Sequence, residues 1–280
     1  MKDKDSLQHF MFEHASIRGE MVHLHKVYNT IMQQRSYPPG VRTLLGEALV
    51  SCILLTASIK FEGEVNLQFH GSEILPLIVV QCDNQMNVRA CANYKEDATL
   101  EEYNQAFLQG QMSLTINQYN NTNSYQSIVP ILSTSMSENI MHYCAQSEQI
   151  PTKVWLAISD ESAAGMLLQL MPGQNTLQRE QFWEYAVVIG QTISSDELLT
   201  LDNETILHRL YHETVIRLYD ARPIHFRCRC NQDKMKQVLK VLGSEEVQKI
   251  IEEHGHVGVS CDFCNRHFSF DPIDITMLFR

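Results

Sequence analysis

The stretch HFRCRCNQDK (225–234), followed after a gap by VSCDFCNRHFSF (259–270), decides how this chain is read. It holds four of the eight cysteines, as a C-x-C and a C-x-x-C. Zinc takes four ligands in a tetrahedron, and thiolates are its usual partners in structural sites. Cys261 and Cys264 have the spacing of a zinc knuckle. Cys228 and Cys230 are closer, but a C-x-C on extended backbone can still direct two sulfurs at one ion. The expected site is one Zn2+ per chain on Cys228, Cys230, Cys261 and Cys264. His267, in C-x-x-C-x-x-H, could also reach an ion, but four cysteines already fill the tetrahedron, so packing is its expected role. Arg227, Arg229, Lys234 and Arg266 flank the thiols. They either offset the charge of about −2 that four thiolates leave around a dication or are ordinary surface charges.

The residues between the two pairs complete a small unit. DKMKQVLKVLG places Met235, Val238, Leu239 and Leu242 on one helical face, with Gly243 as its stop. SEEVQKIIEEHG opens at Ser244 with two acids in its first turn and ends at Gly255. HVGVSCDFCNRHFSF alternates as a hairpin around the C-x-x-C. The expectation for 225–280 is a zinc domain of two helices and a β-hairpin. A unit below roughly 80 residues seldom stands on its core alone.

Upstream, QREQFWEYAVVIGQTI (178–193) reads as an amphipathic helix. Residues 194–222 read as short helices with polar breaks, Ser194 and Glu197 matching a capping box. Residues 178–224 are therefore expected to be a helical linker that folds only against something else. The body, 1–177, reads as α+β. Residues 7–35 look helical in part, and VRTLLGEALVSCILL has the spacing of a core helix. EVNLQFHG, LPLIVVQCD, NVRACANY, MSLTINQY and YQSIVPIL are short, β-rich and parted by turns such as NNTNS, which predicts an antiparallel sheet. SENIMHYCAQSEQI returns to helix, and TKVWLAISD and AGMLLQLMP are two further strands. The fold class expected is α+β: a sheet domain packed with helices, a helical linker and a zinc domain.

Composition excludes several functions. The 280 residues carry a net charge of −11. Residues 221–280 hold nine Lys/Arg and eight Asp/Glu, a net of +1, so residues 1–220 carry −12. An acidic body and a near-neutral tail disfavour nucleic acid and anionic membrane. The first residues lack the apolar region of a signal peptide, and no run of about eighteen apolar residues exists. A cytoplasmic location follows as the default, where paired thiols more often bind metal than staple a fold. No P-loop, G-x-S-x-G or H-E-x-x-H is present, so no ATP site or hydrolase motif stands out. The HLH at 23–25 is a possible metal pair, but at helical spacing its histidines diverge. Cys52, Cys82, Cys91 and Cys144 fall in core elements and are expected to act as small apolar residues.

Oxidation has a direction here. Disulfides need no zinc, so oxidised pairs would give up the metal. Structural zinc contributes roughly 10–16 kcal/mol to a small domain. A bridge within a C-x-C or C-x-x-C closes only a few residues and removes little chain entropy. An oxidant should therefore unfold this tail and release the linker.

FRCRCNQDKM and VLGSEEVQKIIEEHGHVGVSCDFCNRHFSF closely resemble the C-terminal zinc module of the redox-regulated thirty-three-kilodalton heat-shock chaperone family. RGEMVHL (18–24), YPPGVRTLLGEALVSCILLTASIKFEGEVNLQFHG (37–71) and ILHRLYHE (206–213) resemble its upstream blocks, in its order. The resemblance implies an ATP-independent holdase, not an enzyme, that answers oxidative stress. It implies zinc on Cys228, Cys230, Cys261 and Cys264 when reduced and inactive. On oxidation it implies Cys228–Cys230 and Cys261–Cys264 disulfides, zinc release, dimerisation and binding of unfolding client proteins. Asn265 and His267 depart from the glycine and tyrosine common there, which leaves zinc binding intact but bears on the oxidant threshold. Two other readings stay open: a zinc-ribbon module without redox switching, and a thiol–disulfide oxidoreductase.

Overall fold

The computed structural model describes residues 5–13, 15–119, 124–173 and 177–279. The chain divides into two compact units between Phe226 and Arg227.

The first unit opens with a hairpin, β1 (Ser6–Phe12) and β2 (Ile17–Leu24), then α1 (Lys26–Met32) and the long α2 (Pro39–Ser58). Where 7–35 read as partly helical, only 26–32 is helix. Leu7 of β1 joins one apolar cluster while Phe10 and Phe12 join another. With both faces covered, apolar residues occur at both parities and the two-residue period is blurred. The middle holds β3 (Gly63–His70), β4 (Leu77–Asp83), β5 (Asn87–Asn93), α3 (Leu100–Leu108), β6 (Gln111–Gln118) and β7 (Ser124–Pro130). The strands fall where the sequence placed them; residues 120–123 of the expected NNTNS turn lie outside the described residues. Helix α3 interrupts the strand-rich stretch. Its local signal is a capping box, in which Thr99 and Glu102 each bond the other's backbone N–H.

Next come α4 (Met136–Tyr143), a π-turn at Cys144–Glu148, β8 (Thr152–Ile158) and β9 (Ala163–Leu170). Helices α5 (Leu177–Gly190), α6 (Ser195–Thr200) and α7 (Asn203–Tyr211) follow, then the short strands β10 (Ile216–Leu218), β11 (Arg222–Pro223) and β12 (His225–Phe226). One sheet has the order β10-β1-β2-β9-β8, with β11 also on β1; the other has the order β12-β5-β4-β3-β6-β7. All pairings are antiparallel except β12 on β5. Helix α2 packs on β2, β8 and β9 of the first sheet and on β3, β4 and β5 of the second. It is long and apolar enough to cross a membrane, yet 78% of that window is buried in the fold. Gly165 permits the close approach: a Cβ there would lie 2.5 Å from Val50 Cγ1.

The other face of the first sheet is also covered. Phe10, Phe12, Ile17, Met21, Met166 and Leu168 meet Ala186, Leu198, Ile206, Leu207 and Tyr211 from α5, α6 and α7 in a separate cluster. All eight residues of β9 are therefore buried. The cover is fastened by polar details. Tyr211 Oη donates to the Ala186 carbonyl at 2.8 Å, Ser194 and Glu197 form a capping box, and Asp202 caps α7 through the Thr205 N–H. The Arg209–Glu197 pair at 2.9 Å is largely exposed and adds little.

The second unit holds α8 (Gln232–Leu242), α9 (Ser244–His254), the hairpin β13 (Val257–Ser260) and β14 (His267–Phe270), and α10 (Pro272–Leu278). Two helices and a hairpin are as expected. Helix α10 is additional, opened by Pro272 at N1 and an Asp271–Asp274 capping box. Its buried core is Met235, Leu239, Val247, Ile251, Val257, Phe270 and Ile275. Seven side chains are few for an independent fold.

Candidate metal centre

The four expected cysteines meet in the second unit. The Sγ atoms of Cys228, Cys230, Cys261 and Cys264 all lie within 4.8 Å of one another. Cys228 and Cys261 are 3.6 Å apart, and Cys230 and Cys264 are 3.4 Å apart. A Zn–S bond of about 2.3 Å gives a tetrahedron with edges of roughly 3.8 Å, so the donor set and its spacing fit such an ion. All four are free thiols.

Local structure explains the convergence. Cys228 and Cys230 sit on irregular backbone just before α8, whose Asn231 cap accepts from the Lys234 N–H at 2.9 Å. Cys261 and Cys264 occupy the turn of the β13–β14 hairpin, where Val257 pairs with Phe270 and Ser260 with His267. That turn is closed by Cys261 N–H to Arg266 O at 3.0 Å and Asn265 N–H to Cys261 O at 2.8 Å. Asn265 has φ +52°, the left-handed region that glycine and asparagine enter most readily. Its departure from glycine therefore keeps the turn.

The thiols are electrostatically unequal. Burial opposes a thiolate at Cys228, but hydrogen bonds from the Cys230 backbone N–H and from the other three thiols outweigh it and bring the group down to about 7. At Cys230 burial, then the hydrogen bonds to Cys264 and Cys228, push the thiol up. Cys264 is also raised, by burial first, against a bond from the Arg266 N–H. The Cys228 proton is thus easily lost while those of Cys230 and Cys264 are held, so a dication would have to displace them.

His267 stands on β14 with Nδ1 3.2 Å from Ser260 Oγ. Among the described residues the group able to hold a metal is the four cysteines alone. His23 and His25 lie at and just past the end of β2 rather than on a helix. They line one cavity, and His23 Nε2 is 2.8 Å from the Leu198 carbonyl. Cys52, Cys82, Cys91 and Cys144 are buried in the first unit. Burial pushes the thiols of Cys52 and Cys144 up to about 12 and that of Cys82 well above its ordinary value, so these thiols stay protonated. No helix begins at Cys261, so the C-x-x-C lacks the helix N-terminus that activates an oxidoreductase thiol.

A profile of the family described as Hsp33 protein matches residues 5–271. The chain belongs to the Hsp33 family. It is 36% identical to the 33 kDa chaperonin of Pseudomonas savastanoi pv. phaseolicola, covering 100% of this chain and 95% of that one. It is 35% identical to the 33 kDa chaperonin of Nitrosococcus oceani, covering 100% and 96%. A crystal structure of the 33 kDa chaperonin (heat shock protein 33 homolog) from Thermotoga maritima superposes with a TM-score of 0.83 at 23% identity, covering 98% of this chain and 97% of that one. The fold is thus shared from end to end. Hsp33 proteins are chaperones by name rather than enzymes, in line with the lack of an acid–base or nucleophile motif. Residues 178–224 are expected to fold against something else, and they do; the face that receives them is set by tertiary packing.

Proposed function

We propose that this Hsp33 chain is an ATP-independent holdase, silent when reduced and activated by oxidation. The observation that carries the reading is the clustering of four thiols, within 4.8 Å of one another, drawn from both ends of a unit with a small buried core. In the reduced state Cys228, Cys230, Cys261 and Cys264 would hold one zinc ion, which supplies cross-linking rather than catalysis. Oxidation joins Cys228 to Cys230 and Cys261 to Cys264. Each zinc-holding thiolate pair gives two electrons to a peroxide, which takes two protons from solvent and leaves as two waters, and Zn2+ is set free.

The energetics set the outcome. Zinc is worth roughly 10–16 kcal/mol to such a unit, while each tight ring returns about 2 kcal/mol of chain entropy before strain. The unit unfolds. Residues 178–224 serve as the redox-sensitive linker between the body (1–177) and the zinc domain (225–280); their helices rest on a neighbour rather than on a core of their own. Their release uncovers the apolar face formed by Phe10, Phe12, Ile17, Met166 and Leu168, which then holds unfolding proteins. Dimerisation of the oxidised form and a cytoplasmic location belong to the same proposal, with nucleic acid and membrane outside it.

Light scattering from a heat-unfolding client tests it. Oxidised, zinc-free chain should suppress aggregation and reduced chain should not; equal suppression by both ends the switch.

A further inference from the structure

Strand β1 has a poor cover at its outer edge. The segment along it pairs in two pieces, Ile216–Leu218 against Phe10–Phe12 and Arg222–Pro223 against Ser6–Leu7. The Tyr219 N–H still bonds His9 O at 3.0 Å and the Ile224 N–H bonds Asp5 O at 3.0 Å, but the register slips by one residue at Asp220 and Ala221, and Pro223 has no N–H to give. Two cavities flank the break. One, about 720 Å3, is lined by Ser6, Gln8, Asn203 and Ala221. The other, about 300 Å3, is lined by His9, Glu20, Tyr219 and Asp220. Asn203 Oδ1 and Glu20 Oε2, both buried, have no hydrogen-bond partner among the described residues. Along the cover, Ile216 and Leu218 are half-buried, and Tyr219, Asp220, Ala221 and Arg222 are exposed. Beneath it Leu7, Phe10 and Phe12 are fully buried.

We infer that the β1 edge is a client-binding edge: once residues 216–223 lift away, an extended segment of an unfolding polypeptide adds to the sheet as a strand along β1. The inference rests on the chaperone reading above and names its occupant. An uncovered edge presents a row of unpaired N–H and C=O groups. An unfolding chain offers the matching backbone whatever its sequence, with apolar side chains at alternate positions to follow Ile216 and Leu218 into the cluster. An uninterrupted strand restores the pairs that the native cover makes and carries the register unbroken through the slip at 220–221. The cover is therefore a weak competitor that a client can outbid. Its chain continues through β12 to Cys228, two residues beyond Phe226, so its hold depends on how firmly the thiol unit is folded.

The test uses the oxidised full-length chain and two fluorescent twelve-residue peptides of alternating Val/Ile and Thr/Lys. One carries N-methyl groups on three consecutive central residues, which removes backbone donors from both edges and leaves the side chains unchanged. The unmethylated peptide should bind the oxidised chain at least tenfold more tightly than its methylated twin. It should also restore hydrogen-exchange protection to the Glu13 amide, which bonds Val215 O in the folded form. Equal binding of the two peptides, or no peptide binding while a heat-unfolded client is held, overturns the edge and leaves the chaperone reading standing. Failure of the oxidised chain to hold either client or peptide removes both.

Discussion

Cys228 Sγ lies 3.6 Å from Cys261 Sγ, although the two residues are thirty-three positions apart. Cys230 and Cys264, thirty-four apart, are equally close. The cluster therefore joins distant segments, while bridges within the C-x-C and C-x-x-C would join near neighbours. On the proposed switch, which sulfurs are linked decides whether the second unit stays folded.

A double variant separates these cases. Cys230→Ser with Cys264→Ser leaves Cys228 and Cys261 as the close pair. Their disulfide closes a long loop worth about 4 kcal/mol, about what the two tight rings return together before strain, but it joins the two distant segments as the ion would. Oxidised, this variant should keep the circular dichroism of α8 and α9 without zinc and stay a poor chaperone. Loss of helix on its oxidation would show that joining the distant segments is not what decides.

The cover on the first sheet can be loosened without touching the thiols. Leu198 is 2% exposed in the cluster under α6. Leu198→Ala should cost about 2–5 kcal/mol of docking. Aggregation suppression should then appear in the reduced protein at unchanged zinc content, measured on one sample by light scattering and metal analysis. Full silence of this variant would place the client surface elsewhere.

On the proposed switch, the hairpin turn should tune the oxidant threshold. Asn265 sits at φ +52°, where a β-branched residue pays about 1–2 kcal/mol. Asn265→Val should release zinc at lower peroxide than wild type, and Asn265→Gly at equal or higher peroxide, as followed with a metal-sensitive dye. The reverse order would remove the turn from the account.

Much of this was legible in the sequence because the signals are local. A C-x-C and a C-x-x-C need only four sulfurs in reach, and Gly243 and Gly255 mark the ends of their helices. The strands β3 to β9 carry turn residues between β-rich runs. The hairpin β1–β2 was obscured because both faces of its sheet are buried. The role of α5, α6 and α7 was obscured for a related reason. Leu198, Ile206 and Leu207 advertise an apolar stripe, but nothing in the stripe says which surface receives it. His23 and His25 were judged on helical spacing, and a strand puts residues two apart on one side.

The body should show its own pH dependence. Burial pushes the Glu47 carboxyl on α2 up to about 7 from 4.5. The fold therefore takes up a proton between those values, and its stability falls as pH rises through that window, by up to about 3 kcal/mol. Glu47→Gln should raise the denaturant midpoint of the body at pH 8, with the gain vanishing towards pH 4. A gain independent of pH would mean that the carboxyl is not the cause.

The central claim is that an ion can hold the second unit together and two tight bridges cannot. Peroxide treatment of the zinc-loaded full-length chain, with zinc release and far-ultraviolet circular dichroism read on one sample, tests it most directly. The account predicts one zinc released per chain together with loss of the α8 and α9 signal. Complete zinc release with the helical signal intact would contradict it.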